Sequence, residues 1–191
     1  MKKLAYVFGA LIMGFMVTSC GDSLKESVIK DVDAYFTQAE QNLAMIDNAE
    51  DFVTFAEIMN DRGDLLEYLQ EKYGDKTITE KDWDAINTFV EERATAYNKA
   101  EAETCAKFLT PAIDRFEAIL NEMYPQYEAG VPFEEETIDE FLDAYFGVTA
   151  FKDCENVPTE LTERLEPLFA MEDEMSETVI ARMDEIWPDE E

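Results

Sequence analysis

Histidine is absent from the 191 residues, and basic side chains are few. Without imidazole, the chain lacks the general base of Ser-His-Asp and Cys-His catalysis and the commonest nitrogen ligand for metals. Only 15 lysine and arginine residues stand against 45 aspartate and glutamate residues, which gives a formal net charge of −30. A field of that sign repels the phosphates of DNA, RNA and anionic lipid headgroups. The composition therefore argues against nucleic acid as a partner.

Strand patterns are also missing, because no alternation of polar and apolar residues continues for a useful length. High acidity can indicate disorder, but hydrophobic residues make up 47% of this chain and aromatic residues 12%. The 13 phenylalanines, 8 tyrosines and 2 tryptophans are ample material for a core. We therefore expect a folded domain with a heavily acidic solvated surface.

The first 20 residues differ in character from the acidic remainder. Lys2 and Lys3 precede an uncharged apolar run at residues 4–17, which is too short for an ordinary membrane-spanning helix. The run ends in Val-Thr-Ser-Cys at residues 17–20. This segment resembles the signal peptide of bacterial lipoproteins, whose lipobox has a branched apolar residue, two small residues and a cysteine.

The resemblance implies that residues 1–19 are removed as a signal peptide and that Cys20 becomes a lipidated, membrane-anchored N-terminus. Residues 20–23 would then be a short tether and residues 24–191 an acidic helical domain. The mature chain keeps 13 basic and 45 acidic residues, a formal charge of −32. Gly21, where an aspartate would resemble an inner-membrane retention signal, favours the outer membrane if the cell is Gram-negative. The alternatives are an uncleaved signal anchor, or cleavage by the general signal peptidase with Cys20 an ordinary residue.

Apolar residues recur at helical spacing through the mature chain. A capping box, Ser23 to Glu26, opens the first helix, which continues for about six turns. Shorter helices are predicted at 49–60 and 65–73, with others from about 83 to 124, from 134 to Gly147 and from Thr159 to 186. Pro111 should kink or restart the longest of them. The sum is an all-α bundle of six or seven helices in a single domain, with one long helix kinked near Pro111.

The connection before the long helix looks like the close of an EF-hand loop. Asp75 and Asp82 fall where that pattern places an oxygen ligand and its bidentate acid. Tyr73 and Lys76, however, occupy places that the pattern reserves for a small oxygen ligand and for glycine. Asp75 and Asp82 are thus a weak metal candidate, and the interpretation that we favour is a helix–loop–helix connection whose Thr79 caps the next helix. No cofactor is expected.

Cys105 and Cys154 are the thiols that remain once Cys20 is lipidated. Export places them in an oxidising compartment, where an even pair favours a disulfide. Closing a loop of about 50 residues would stabilise the fold by about 4 kcal/mol in the chain-entropy model. The alternative is two separate, buried or half-buried thiols.

Acidic and aromatic side chains also occur in groups. Solvated helix faces are the interpretation we favour for the acidic groups, which lie at Asp31/Asp33, Glu101/Glu103, Glu134–Glu136 and Glu172–Glu174. Core packing is the corresponding interpretation for the aromatic side chains at core spacing, which are Tyr35, Phe36, Tyr97, Phe141, Tyr145 and Phe146.

No catalytic constellation is found. The sequence favours a membrane-anchored binding or structural module of the cell envelope, whose acidic surface suits a basic envelope protein or loosely held divalent cations. One alternative is a solute- or carbohydrate-binding lipoprotein with a pocket between helices. An enzyme that uses a carboxylate pair ranks third.

Overall fold

The computed structural model describes residues 23–61, 65–73 and 78–188. The predicted signal peptide, the lipobox with Cys20, and the metal candidate Asp75 lie outside these ranges. Six helices and no strand make up the described residues, which confirms the prediction of an all-α fold. The helices are α1 (Leu24–Ala44), α2 (Ala49–Asp61), α3 (Leu65–Tyr73), α4 (Glu80–Glu128), α5 (Glu135–Thr149) and α6 (Thr159–Ile186).

Local capping residues define where the first two helices begin. The predicted capping box is present: the Glu26 amide donates to Ser23 Oγ, and the Ser23 amide donates to the Glu26 carboxylate at 2.9 Å. α1 ends at Ala44, and Asn48 caps α2. The Asp51 amide donates to Asn48 Oδ1 at 2.9 Å, which satisfies a backbone donor that the first turn leaves open.

Helix α4 continues without a break through Pro111 and Pro125. A restart at Pro111 is therefore wrong, while a kink there stays a prediction. The physical reason lies in packing, because the residues around Pro111 keep one buried stripe at helical spacing across it. Its members are Leu109, Ile113, Phe116, Leu120 and Met123, each at most 1% exposed. Burial of this stripe offsets the hydrogen bond that proline cannot donate.

The end of α5 differs slightly from the sequence prediction. α5 continues to Thr149, so Gly147 lies inside the helix rather than closing it, and the irregular stretch is 150–158. α6 likewise passes through Pro167. In the loop before α5, Gly130 has φ of +64°, a left-handed conformation that glycine adopts without strain.

The chain divides into two compact units, residues 1–101 and 102–191. In the first, α1 to α3 and the start of α4 bury an apolar core with three phenylalanines. Its fully or nearly fully buried members are Val28, Val32, Phe36, Ala39, Leu43, Ile46, Phe52, Phe55, Ala56, Leu69, Tyr73, Ile86 and Tyr97. The prediction of a single domain is not tested by this division and stays a prediction.

The second unit consists of the remainder of α4 with α5 and α6. Its core draws on all three helices and on the connections between them. The largest contributors are Leu109, Ile113, Phe116, Leu120, Met123, Phe133, Ile138, Phe141, Phe151, Leu168 and Met175. Within the described ranges, no helix is both long enough and apolar enough to cross a membrane.

Candidate interaction surface

Arg93 on α4 is bound by one face of α1. Its Nη2 donates to Thr37 Oγ1 and to Glu40 Oε2, each at 3.2 Å, and its Nη1 pairs with the second Glu40 oxygen at 3.2 Å. Nε lies 3.2 Å from Asp33 Oδ1 as an ion pair without hydrogen-bond geometry. The guanidinium carbon also lies 5.8 Å from the ring centre of Phe36. Three polar side chains of α1 therefore contact this arginine within the first unit, although its Nε makes no hydrogen bond.

Arg164 on α6 likewise forms ion pairs with carboxylates of α4, within the second unit. Its Nη2 donates to Asp114 and to Glu117, both at 2.8 Å, and these bonds raise the pKa of the guanidinium further. Further along the same two helices, Tyr124 on α4 donates to Glu174 on α6 at 2.6 Å. That hydrogen bond is the main cause that raises the pKa of Tyr124 to about 12.

The remaining two described arginines also pair with acids of the same chain. Arg182 donates from Nε to the Phe133 carbonyl oxygen at 2.7 Å and from Nη1 to Glu185 at 2.8 Å. Arg115 and Asp143 approach to 3.5 Å, in a pair whose side chains are 57% and 75% exposed. Such an open pair contributes little to stability.

The predicted acidic groups differ in their exposure and in their hydrogen-bond partners. Glu134–Glu136 are exposed, as predicted. Asp31 instead accepts from Lys72 Nζ and Tyr73 Oη, each at 2.5 Å, and joins α1 to α3. In the Glu172–Glu174 group, burial is the main cause that raises the pKa of Glu172, and Glu174 is the acceptor of Tyr124 described above.

Glu101 overturns the prediction of a solvated face most clearly, because it is only 8% exposed. Tyr97, one turn earlier on α4, donates to its carboxylate at 3.3 Å. Burial, followed by the charge of Glu101, raises the pKa of the Tyr97 hydroxyl. Asn42 is the other buried polar residue described; its Oδ1 accepts from Gln38 at 3.2 Å, and its Nδ2 has no hydrogen-bond partner.

An aromatic cluster connects the core of the second unit to its surface. Phe116 is fully buried, with ring centres of Phe141, Tyr145 and Phe169 at 6.2, 6.1 and 5.7 Å. Tyr145 in turn contacts Phe169 edge-on at 6.4 Å and Phe146 at 5.8 Å. Tilted and edge-on contacts at these separations are favourable ring geometries.

The outermost ring of that cluster, Phe146, is 62% exposed, so its predicted place in the core is wrong. The buried side of α5 consists of Ile138, Phe141, Ala144 and Val148. Phe146 lies off that stripe and on the same line as Asp139 and Asp143, seven and three residues earlier, both exposed. The two aspartates are the signal in the sequence that assigns Phe146 to the solvent face.

Asp82 is the described member of the metal candidate, and its contacts belong to the start of α4. Thr79 Oγ1 donates to the Asp82 carboxylate at 2.6 Å, and the Asp82 amide donates to Thr79 Oγ1 at 3.2 Å. These bonds at the start of α4 are the N-cap that the sequence favoured at Thr79. Across the described ranges, no group of three or more Cys, Asp or Glu side chains is arranged to hold a metal ion.

Cys105 and Cys154 both lie in the second unit. Cys105 is 1% exposed on α4, and Cys154 is half-buried in the irregular stretch after α5. The disulfide between them stays a prediction, as does lipidation of Cys20.

The comparisons of this chain with known proteins found no similarity. Its sequence matches no protein-family model and no curated protein, and its fold matches no solved structure.

Proposed function

We propose that the chain is a lipid-anchored protein of the cell envelope whose acidic helical part binds a basic protein. The anchor is Cys20, and the helical part acts as a binding or structural module rather than as an enzyme. Outer-membrane attachment is the location we favour if the cell is Gram-negative.

One observation carries the binding part of the proposal. Each of the four arginines that the structure describes forms an ion pair with a carboxylate of its own chain. Because 45 acidic residues stand against 15 basic ones, basic side chains of the same chain cannot neutralise most of the carboxylates. Residues 102–191 alone carry 25 acidic and 5 basic side chains, a formal charge of −20. A surface of one sign attracts a partner of the opposite sign and accelerates its encounter.

The anchor is tested by mass spectrometry of the protein purified from its native membranes. We expect an N-terminal peptide that begins at Cys20 and carries the mass of a diacylglyceryl group and an acyl chain. The matched variant Cys20→Ala should lose the modification and partition into the aqueous phase of a detergent extraction. A wild-type protein with an unmodified Cys20 would refute the anchor.

The binding function is tested with a basic probe protein, cytochrome c, and with the same protein after acetylation of its lysines. We expect the native probe to bind, and its affinity to fall steadily between about 50 and 300 mM salt as the charges are screened. The acetylated probe is the control and should not bind. Equal binding of both probes would contradict a charge-driven interaction.

A further inference from the structure

The exposed end of the aromatic cluster places an apolar ring on an acidic surface. We define the aromatic edge as Tyr145 and Phe146 on α5 with Phe169 on α6. Phe146 is 62% exposed, and the other two side chains are half-buried. A large apolar ring in solvent costs free energy, which is recovered when a partner covers it.

The aromatic edge is in contact with the buried core through Tyr145. Tyr145 contacts Phe146, Phe169 and the fully buried Phe116, with ring centres 5.8, 6.4 and 6.1 Å apart. A ring that is already held in place loses little conformational freedom on binding. Aromatic side chains packed in this way are typical anchors of binding surfaces.

Carboxylates flank the aromatic edge on both helices. Asp139 and Asp143 lie on the line of Phe146 along α5, while Glu166 and Asp173 lie three residues before and four after Phe169 on α6, and all four are exposed. Asp143 is paired with Arg115 at 3.5 Å, and both side chains are more than half exposed. A ligand can replace so exposed a pair at little cost.

The charge of this unit also decides between occupants. A second copy of the chain would bring a further −20 on residues 102–191 to the same place, and the two copies would repel each other. Arginine, in contrast, stacks its planar guanidinium on an aromatic face and donates to a neighbouring carboxylate.

We infer that the aromatic edge, with Asp143 beside it, is the docking site for an arginine-containing segment of the basic partner. An arginine of that segment lies over the Phe146 ring and donates to the Asp143 carboxylate. The inference rests on the proposed function and names the surface that performs it.

The test uses the full chain in detergent and a fluorescent peptide of alternating arginine and glycine. Phe146→Leu keeps an apolar side chain but removes the ring, and should weaken binding by about two- to fivefold, the range expected of one exposed cation–π contact. Phe146→Trp should retain or increase the affinity, because tryptophan is the best ring for this contact. Ile180→Ala is the matched control: Ile180 is 57% exposed on α6 and outside the aromatic cluster, so its variant should bind as wild type does.

Two further measurements complete the test. Asp143→Asn should also weaken binding, and a peptide with lysine in place of arginine should bind less tightly and respond less to Phe146→Leu. Because Phe146 is exposed, all variants should keep the helical circular dichroism and melting temperature of the wild type, so a loss of affinity is not a loss of folding.

The outcomes separate this inference from the proposed function. If Phe146→Leu binds the peptide as tightly as wild type while binding remains salt-dependent, the docking site is wrong and the basic partner stands. If the wild type binds neither the peptide nor cytochrome c, the proposed function itself is refuted. A wild-type dimer that Phe146→Leu dissociates, or Phe146-dependent binding of chitohexaose, would assign the edge to self-association or to a carbohydrate and overturn the inference.

Discussion

The two compact units differ in where they place polar groups. In the first, Asn42 and the Glu101 carboxylate are buried, and Arg93 and Asp31 each gather several polar partners across helices. In the second, every buried residue that the structure describes is apolar, and a cluster of aromatic rings surrounds Phe116.

The unit that buries polar groups is not the unit with the larger net charge. Residues 1–101 carry 20 acidic and 10 basic side chains, a charge of −10, against −20 for residues 102–191. The more acidic unit therefore keeps its charges outside, while the less acidic one buries a carboxylate. Since a buried charge needs partners whereas a solvated one does not, acidity of composition and polarity of the core are separate properties.

Removing the central ring of the second unit should have the largest effect. Phe116→Ala should lower the free energy of unfolding by about 3–5 kcal/mol, because a fully buried phenylalanine is replaced by a cavity. Urea unfolding measures the change. The control is Phe146→Ala at the exposed end of the same cluster, expected within about 0.5 kcal/mol of wild type. Equal losses from both variants would show that the aromatic cluster does not hold this unit.

Removing a charged contact should affect the first unit more than the second. Arg93→Met should cost about 1–3 kcal/mol, since it leaves partly buried acceptors on α1 without their donor, and the loss should shrink in high salt. Arg164→Met is the matched control; its arginine is 38% exposed, against 21% for Arg93, and should cost less. A larger loss from Arg164→Met would reverse the comparison between the units.

The helices could be predicted from the sequence because their signals are local. Caps at Ser23 and Thr79 and apolar stripes at helical spacing identified all six helices to within a few residues. At Pro111 the sequence predicted a kink or a restart, and the helix does not restart there for a non-local reason: a local rule weighs the lost hydrogen bond but not the burial of Leu109, Ile113 and Phe116 that compensates for it.

The candidate surface was harder to predict because exposure depends on angular position rather than on residue type. Phe146 was assigned to the core as an aromatic residue near others, although Asp139 and Asp143 share its line along α5. Glu101 was assigned to solvent as one acid among many, although its partner Tyr97 lies one turn away. Pairing across helices, as between Arg93 and Glu40, needs the tertiary fold and leaves no mark in the sequence.

A small stabilising substitution tests the helical conformation of Gly147 in the second unit. Gly147→Ala should raise the free energy of unfolding by about 0.5–1 kcal/mol, because glycine inside a helix carries an entropic cost. A Cβ at this position meets only the Ala112 Cβ at 4.0 Å, an ordinary contact. Gly130→Ala is the control with the opposite sign: it should destabilise by about 1 kcal/mol, because φ there is +64°. Stabilisation by both variants would contradict the left-handed turn at Gly130.

The smallest effect is a titration at the edge of the second unit. The hydrogen bond to Glu174 raises the pKa of Tyr124 from 10.0 to about 12, so the folded state holds this proton more tightly than the unfolded state does. The stability that results is fully present below about pH 10 and is lost as the pH rises to about 12. Ultraviolet absorbance of wild type minus Tyr124→Phe isolates the titration, and Glu174→Gln should return the pKa towards 10.0. A Tyr124 that already titrates at its ordinary pKa in the wild type would show that this bond does not join α4 to α6 in solution, and that Arg164 is left to make the polar contact between them.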